Sequence, residues 1–489
     1  MAGGTWNQTD MPVLPGLYLN FQAAAAAAIQ TGARGIVTVP VKANWGPIRE
    51  FVEVTSEAVA AKVYSADETG GATAYTAMKL AFYGGAHKVL AYRIADASAA
   101  KATLNLQDDA ATPVNVVRLE AKYPGTRGNQ FKVSLQANAI DSTKVDLKLM
   151  EGAAALKTFT FAGGAIQAAV DTINNDPANE WIVASKLAEG SGQFKNGGSL
   201  TFAGGNSGIG SIAAADYTDA LNAMETQDFH LLALDGVTDA AIHATVVAWI
   251  DRLRSEGKGV MAVLGGSAAD DTSSDAVSKA TTRSNTYNHE GIVNVGVGAT
   301  LSSANYSSAQ ISSYVAGLIA GQKLSESTTY AAAPFQGVTR RWTRSEQEQA
   351  VRNGVFLFVH DGSRVKALRG INTLTALRLG QNNAWKKIRT IRVMDAINAD
   401  LQQSAEANYI GKVNNTEEGR LALVGACKQY MQSLAQSGVI EETGWNVALD
   451  PAYYGTGRTV EPEADQVYLK WEAKLTDTIE QIFGTFTVL

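Results

Sequence analysis

The feature that most constrains this chain is an alternation of short apolar runs with amphipathic segments, which starts after Gly210. The apolar runs 229–234 and 260–264 have the length of buried strands, and the segment 239–255 between them carries apolar residues at helical spacing. Strands that alternate with helices in this way form a mostly parallel sheet covered by helices. We therefore expect a central α/β domain over residues 206–372.

The two segments before this region show different patterns. Residues 22–96 combine strand-like runs with a helical run at 74–83, which predicts a small α/β domain of its own. Residues 97–205 contain short β-type runs separated by turn residues and a single helical run at 165–174. Regularly spaced short strands are typical of a β-sandwich or barrel. We expect this second segment to be an insertion into the α/β body.

The last third of the chain predicts two long helices followed by a strand. Apolar residues recur at helical spacing over 388–401 and again over 421–434, and residues 467–473 alternate as a strand does. A short helix is expected to start at Asp477. Together these elements predict an α+β C-terminal domain over residues 373–482.

Both ends of the chain are predicted to be extended arms. Residues 1–21 are polar and end in a strand-like run, and residues 483–489 are β-prone with no later segment to pair with. The predicted arm residues are Leu17, Tyr18, Leu19, Asn20, Phe21, Phe483, Thr485, Phe486, Thr487, Val488 and Leu489.

Composition argues against several classes of function. The net charge is -6 and the sequence pI is near 5.6, whereas a nucleic-acid-binding domain usually has a pI above about 9. The apolar run 23–29 is far shorter than the roughly 20 residues that span a bilayer. We therefore expect no direct nucleic-acid binding, no membrane insertion and no secretion signal. The single cysteine, Cys427, lies at helical spacing among apolar residues and is expected to be buried.

Motifs for catalysis or cofactor binding are weak. There is no Gly-x-Ser-x-Gly elbow, no His-Glu-x-x-His and no paired Cys-x-x-Cys. The glycine-rich runs 205–210 and 296–298 lack the lysine and the third glycine that phosphate- and dinucleotide-binding loops require. We predict no enzyme activity, no metal and no cofactor. The residues weighed for a hydrolase site are His87, His230, His243, His289, His360, Asp235 and Ser267.

Several short runs occur in a characteristic order along the chain. Two of them are Tyr123-Pro124-Gly125-Thr126-Arg127-Gly128-Asn129 and Gly370-Ile371-Asn372-Thr373-Leu374-Thr375. In this order the runs resemble the contractile phage tail sheath family over nearly the whole chain, in particular the sheaths of defective-prophage-like particles. The other runs are 1–6, 15–21, 32–35, 45–47, 314–317, 387–397 and 408–413.

The resemblance implies a structural subunit with four parts. It implies a central domain similar in shape to subtilases, an inserted β-sandwich, a C-terminal domain that faces an inner tube, and arms that add strands to sheets in adjacent subunits. The implied partners are further copies of the chain in hexameric rings stacked as a helical tube, an inner tail tube protein, and baseplate and tail terminator proteins.

The function that the resemblance implies is contraction of a tail sheath for genome delivery. The implied location is the virion tail, after assembly in the host cytoplasm. A sheath in a headless, bacteriocin-like injection particle is the alternative, and a soluble α/β hydrolase is the competing hypothesis from a different class.

Basic residues cluster at two places, one of which is Arg340 and Arg341 with Arg344. The second cluster lies at the start of a helix with an apolar stripe, so a solvated face is the default interpretation. The alternatives are an interface with acidic patches of a neighbouring subunit or of the inner tube, and a phosphate site. The second cluster consists of Lys386, Lys387, Arg389 and Arg392.

Overall fold

The structure of the protein is a computed structural model that divides into two compact units. One unit comprises residues 34–392, and the other comprises residues 1–33 together with residues 393–489. The residues that the structure describes are 2–4, 16–18, 29, 34–458 and 460–488.

At the N-terminus, the structure describes two three-residue strands. Strands β1 (Ala2–Gly4) and β2 (Gly16–Tyr18) pair in parallel, with Gly3 opposite Leu17 and Gly4 opposite Tyr18. Of the predicted N-terminal arm, Leu17 and Tyr18 thus lie in a strand. The other predicted arm residues at this end, 19–21, lie outside the described residues.

The unit of residues 34–392 begins with strands and helices close to their predicted positions, and with one helix, residues 57–64, that the sequence did not indicate. These elements are β3 (Ile36–Val41), β4 (Phe51–Val54), α1 (Glu57–Tyr64), a 3-10 turn (Thr69–Gly71), α2 (Ala74–Gly84) and β5 (Lys88–Arg93).

The predicted β-sandwich follows and is confirmed. Its two antiparallel sheets enclose a core in which the Phe131 ring packs edge-on against Trp45 at a centroid distance of 5.3 Å. Trp45 precedes the sandwich in sequence, so this buried ring anchors the insertion to the chain before it. The elements are β6 (Thr103–Gln107), β7 (Asn115–Ala121), a 3-10 turn (Thr126–Gln130), β8 (Phe131–Ala137), β9 (Lys144–Glu151), β10 (Ala154–Ala162), α3 (Ile166–Asn175), β11 (Ile182–Lys186) and β12 (Gly197–Thr201).

The two sheets of the sandwich have the strand orders β10-β9-β8-β12 and β11-β7-β6. Their strands alternate between buried and exposed residues, as β8 does with Phe131, Val133 and Leu135 in the core. This period of two is what the sequence showed.

The chain after Gly210 alternates strands and helices as predicted. Its elements are α4 (Ala214–Met224), β13 (Leu231–Ala233), α5 (Ala240–Ser255), β14 (Met261–Gly265), α6 (Ala268–Thr272), α7 (Ala276–Tyr287), β15 (Ile292–Val295), β16 (Ala299–Leu301), β17 (Ala304–Tyr306), α8 (Ser308–Gly321), β18 (Ala332–Ala333), β19 (Gly337–Val338), α9 (Arg344–Arg352), β20 (Val355–Phe356), β21 (Phe358–His360), β22 (Val365–Ala367) and a 3-10 turn (Asn383–Lys386).

A seven-stranded sheet in the order β20-β15-β14-β13-β3-β5-β4 forms the centre of this unit. All neighbours are parallel except the edge strand β4, which runs antiparallel to β5. The prediction of a mostly parallel sheet is therefore confirmed. Two further sheets of three strands, β17-β16-β19 and β18-β22-β21, belong to the same unit.

The predicted separation of residues 22–96 from the central domain is wrong. Strand β3 pairs with β13, with Val37 opposite Leu231, so strands from both segments share one sheet. The physical reason is that β3 is buried and a central parallel strand needs a hydrogen-bonded neighbour on each side. The other domain boundaries stay predictions.

The N-terminus of α9 is closed by a reciprocal capping box. Thr343 caps the helix, because its hydroxyl accepts from the backbone N–H of Glu346. The carboxylate of Glu346 in turn accepts from the backbone N–H of Thr343 at 2.6 Å. Each of the two residues thus satisfies a backbone donor at the start of the helix.

The unit that contains residues 393–489 is built around two long helices and a two-stranded antiparallel sheet. The hydroxyl of Tyr430 donates to Asp400 at 2.7 Å and joins the helices, and Cys427 is buried as expected. The short helix expected from Asp477 is absent, since residues 476–488 have no helix or strand. The elements are α10 (Ile388–Asn408), which begins before residue 393, α11 (Glu417–Gln436), β23 (Asn446–Leu449), α12 (Pro451–Tyr454) and β24 (Leu469–Glu472).

Within the described part of the chain, no helix is both long enough and apolar enough to cross a membrane.

Candidate functional site

Two histidines, His243 and His289, line a groove and form structural hydrogen bonds. The groove lies between α5 and α7 and has a volume of about 440 Å³. Nδ1 of His243 lies 2.7 Å from the Tyr287 hydroxyl, and its Nε2 lies 3.0 Å from a backbone carbonyl. Nδ1 of His289 accepts from the backbone N–H of Gly291, and its Nε2 lies 3.1 Å from the Asp251 carboxylate. Burial lowers the pKa of both imidazoles, and neither ring is directed at a serine or cysteine.

Asp235 and Ser267 also have structural partners. The buried carboxylate of Asp235 accepts from the hydroxyls of Tyr217 and Thr73, each at 2.8 Å, and pairs with the ammonium of Lys42 at 3.0 Å. Ser267 caps α6 by accepting from a backbone N–H of that helix. Four separate segments thus meet at Asp235, which makes it an internal anchor of the fold.

The remaining three histidines are dispersed. His87 is exposed, Nδ1 of His230 accepts from the backbone of β3, and Nδ1 of His360 accepts from the backbone N–H of Gly362. Among the described residues, no three His, Cys, Asp or Glu side chains are arranged to hold a metal ion. The residues weighed for a hydrolase are therefore not brought together.

The glycines of the 296–298 run have a packing role. A Cβ atom on Gly298 would lie 2.3 Å from the carbonyl oxygen of Tyr306, and one on Gly296 would lie 2.4 Å from Val355. Real Cβ atoms do not come so close to other atoms. Glycine is needed at these two positions because neighbouring segments approach the backbone closely. A phosphate ligand is not needed to explain them.

Among the described residues of the unit that contains residues 393–489, the C-terminal segment carries the most exposed apolar side chains. Residues 476–488 form no helix or strand, and the aromatic rings of Phe483 and Phe486 are each 89% exposed. A soluble monomer rarely displays large apolar side chains in such density. The other large exposed apolar residues of this segment are Ile479, Ile482 and Val488.

The predicted C-terminal arm lies in this segment. Phe483, Thr485, Phe486, Thr487 and Val488 are all exposed and pair with no strand in the described part of the chain. The last predicted arm residue, Leu489, lies outside the described residues. An association of the segment with another subunit stays a prediction.

A short sheet in the same unit offers free edges. Strands β23 and β24 pair antiparallel, with Val447 opposite Trp471, and neither pairs with a further strand among the described residues. Strand β23 packs against α11, and Val447 is fully buried, so a helix supports this sheet on one side. An additional strand at either edge would satisfy further backbone groups.

The second basic cluster does not form one solvated face. Arg389 is buried, and the Arg392 guanidinium donates to the backbone carbonyl of Gln322 at 2.8 Å, just past the C-terminus of α8. The default interpretation is therefore wrong for these two residues. For Arg392 the reason is that carbonyls at a helix end lack intrahelical donors, which a nearby cation can supply. Lys386 and Lys387 are partly exposed.

Comparison with known proteins gives consistent matches along the chain. The phage tail sheath protein beta-sandwich domain matches residues 95–207, the phage tail sheath protein central domain matches residues 210–373, and the phage tail sheath C-terminal domain matches residues 380–488. The phage-like element PBSX protein XkdK of Bacillus subtilis (strain 168) is 26% identical over 470 residues, which are 90% of this chain and 91% of that protein.

Solved structures show the same similarity. The crystal structure of the sheath tail protein from Desulfitobacterium hafniense has a TM-score of 0.73 and 26% identity, covering 95% of this chain and 98% of that chain. The helical sheath of the anti-feeding prophage in the contracted state has 13% identity and a TM-score of 0.55, covering 98% of this chain and 99% of that chain. At that identity the likeness concerns the fold alone.

The family matches follow the sandwich, the central sheet and the C-terminal helices in the order in which the structure presents them. Asp235 and Ser267, which the sequence offered for a hydrolase, serve as an internal anchor and as a helix cap. The chain belongs to the phage tail sheath protein family, and it is a structural protein of the tail of a phage or phage-like particle, not an enzyme.

Proposed function

We propose that this protein polymerises as stacked hexameric rings around an inner tail tube and contracts to drive the tube through the host envelope for genome delivery. The observation that carries this proposal is the apolar C-terminal segment, which has no sheet of its own among the described residues. Burying one large apolar side chain contributes about 1.5–3 kcal/mol, so this segment favours a partner surface.

The arms link neighbouring subunits by adding strands to their sheets. A strand of about five residues makes about four backbone hydrogen bonds, each contributing roughly 0.5–1.5 kcal/mol net. A single arm is therefore modest, but arms that join several subunits act cooperatively. Such links hold the polymer together while the folded bodies change their packing.

The sheet of β23 and β24 is the acceptor that we favour for an arm from an adjacent subunit. Its open edges supply backbone donors and acceptors, and the arm supplies Phe483 and Phe486 as side chains to bury. An added strand would extend this two-stranded sheet, which already packs against α11.

Contraction needs two packings of the subunit bodies, of which the shorter polymer has the lower free energy. No nucleotide is consumed in this scheme. The C-terminal domain faces the inner tube, with Lys386 and Lys387 as candidates for contact with it, and the ends of the polymer meet baseplate and tail terminator proteins.

A headless injection particle is the second candidate. Its support is the similarity to a protein of the phage-like element PBSX. Purified particles distinguish the two: a capsid attached to the tail indicates genome delivery, and isolated contractile tails indicate an injection particle.

The test uses the exposed aromatic residues of the arm. We expect Phe483→Ser with Phe486→Ser to give a folded, soluble subunit that forms no tubes in electron micrographs, because the arm loses its buried side chains. The matched control is Ile140→Ser with Leu187→Ser, which removes two exposed apolar residues from the β-sandwich and should leave tubes intact.

Truncation tests both arms together. We expect chains without residues 1–21, or without residues 483–489, to remain soluble and to form no contractile tubes. Normal contractile tubes from both truncated chains would contradict the arm model.

A further inference from the structure

We propose that an arginine-rich face on α9 of one subunit binds an acidic loop, residues 461–465, of a second copy of this chain. The proposal rests on the polymerisation proposed above and identifies one of its contacts. The arginine face is defined by Arg341, Arg344 and Arg352.

The arginine face projects from an edge of the central sheet. Helix α9 packs against α7 and the edge strand β20, and Ala350 is its one fully buried residue. The side chains of Arg344 and Arg352 are 93% and 78% exposed, and Arg341 is exposed as well. Helix α9 thus presents guanidinium groups to solvent.

The carboxylates on α9 do not neutralise this face. Residues 340–352 contain four arginines and two glutamates. Glu346 is already held by Arg340 at 2.9 Å and by its capping bond, and Glu348 is shared between Arg344 at 3.1 Å and Arg352 at 3.5 Å. The face therefore keeps a positive charge that fits an acidic partner.

The C-terminal part of the chain carries the opposite charge. Residues 393–489 contain 14 acidic and six basic residues, a formal net charge of -8, whereas residues 1–392 contain 33 acidic and 35 basic residues. The negative charge of the protein is therefore concentrated in the C-terminal part.

The acidic loop concentrates three carboxylates within five residues. Glu461, Glu463 and Asp465 are all exposed, and one of them, Glu461, pairs with Arg458 at 3.3 Å. The other two carboxylates, of Glu463 and Asp465, therefore leave negative charge on the surface of the loop.

The loop is held in place by its neighbours. The side-chain amide of Asn415 donates to the carbonyls of Ala464 and Gln466 at 2.9 and 3.0 Å, and the side chain of Gln466 accepts from the backbone of Glu463 at 3.1 Å. The carboxylates are therefore presented on a fixed backbone, which lowers the entropy cost of binding.

A second copy is the partner that suits this arrangement. Each chain carries one arginine face and one acidic loop, so every subunit of a polymer can donate one contact and accept another. Exposed ion pairs are individually weak and are screened by salt, but repetition along a polymer makes their sum count. Assembly should therefore weaken as the salt concentration rises.

The experiment reverses the charges in the full-length chain. We expect Arg341→Glu with Arg344→Glu to raise the critical concentration for tube formation about tenfold and to flatten its dependence on salt. Glu461→Lys with Glu463→Lys should have the same effect. The control for the arginine variant is Lys144→Glu with Lys195→Glu on the β-sandwich. It changes the net charge by the same amount as the arginine variant and should leave the critical concentration unchanged.

The decisive variant carries all four reversals of the arginine face and the acidic loop. Recovery of tube formation supports the contact, and no recovery overturns it. The stability of the monomer is measured below the critical concentration. If each double reversal lowers that stability and the four-fold reversal recovers it, the contact lies within one chain and the proposal is overturned. Loss of inner-tube binding with normal self-assembly of the arginine variant overturns it in favour of the tube.

The outcomes separate this contact from the proposed function. Failure of the unaltered chain and of the lysine control to form tubes contradicts the proposed polymerisation itself. If the unaltered chain, the lysine control and the arginine variant all form tubes equally well, only the proposed contact is overturned.

Discussion

The hydroxyl of Ser308 donates a 2.6 Å hydrogen bond to the buried carboxylate of Asp271, and the backbone N–H of Ser308 donates to the second carboxylate oxygen at 2.5 Å. Ser308 is the first residue of α8, and its hydroxyl also accepts from the backbone N–H of Gly266 at 2.7 Å. Asp271 thus satisfies a backbone donor that has no partner within the helix. The pair joins α6 and α8 to Gly266, the residue that follows β14.

This pair predicts a dependence of stability on pH. Burial raises the pKa of Asp271 from 3.8 to about 6, although hydrogen bonds from Ser308 act in the opposite direction. Because the folded state favours the protonated carboxyl, its contribution is complete below pH 4 and is lost as the pH rises through 6. The loss amounts to at most about 3 kcal/mol of the free energy of unfolding.

Asp271→Asn should remove this dependence, because an amide does not titrate. We expect urea unfolding of the variant to vary less between pH 4 and pH 7 than that of the unaltered chain. Asp219→Asn, at an exposed position of α4, is the control. Identical pH profiles for all three proteins would show that Asp271 titrates normally.

Gly317 determines how closely α2 and α8 pack. A Cβ atom at this position would lie 2.0 Å from the carbonyl oxygen of Ala81, so the two helix backbones are in contact. Gly317→Ala should lower the free energy of unfolding by about 1–3 kcal/mol, because the helices must move apart. Chemical denaturation measures the change.

Gly425 is the matched control for this substitution. It lies within α11, and a Cβ atom there would meet nothing within 4 Å. Gly425→Ala should raise stability by up to about 1 kcal/mol, since alanine favours helix more than glycine does. Equal effects of the two substitutions would rule out the close packing at Gly317.

Asn372 fixes the loop that precedes α10. Its buried side-chain amide donates to the carbonyl of Trp385 at 2.7 Å and its side-chain oxygen accepts from the backbone of Leu374 at 3.1 Å. Asn372→Ala removes the partner of the Trp385 carbonyl and of the Leu374 backbone N–H. It should lower the free energy of unfolding by about 1–3 kcal/mol. Asn383→Ala, at an exposed position, should change the same denaturation curve by much less.

Cys427 should be unreactive in the folded protein. Its side chain is buried, and burial raises the pKa of the thiol to about 11. The thiolate is the reactive form, so a colourimetric thiol reagent should modify Cys427 slowly in buffer and rapidly in denaturant. Equal rates in the two conditions would place the thiol at the surface.

Much of the secondary structure could be predicted because its signals are local. Strand β8 occupies residues 131–137, as its alternation indicated, and α5 ends before Gly257, whose φ of 93° suits a helix terminus. Helix α7 was missed because its buried face is made mainly of small residues, Ala276, Ala280 and Ser284 among them. Such a face carries no apolar stripe.

The candidate contact segments could be predicted only in part. The β-prone residues near the C-terminus indicated an arm, and the structure shows Phe486 exposed without a strand partner among the described residues. The exposed guanidinium of Arg344 and the buried one of Arg389 could not be told apart in the sequence. Their difference depends on which side of each helix the rest of the protein covers.

The sequence by itself determined the class of the fold, because the periods of strands and helices arise from neighbouring residues. Only the tertiary structure decided that β3 joins β13, that Trp45 lies in the sandwich core and that Arg392 reaches the end of α8. Each of these contacts joins residues that are distant in the chain. Their formation depends on burial and hydrogen bonding in the folded protein, which no local period encodes.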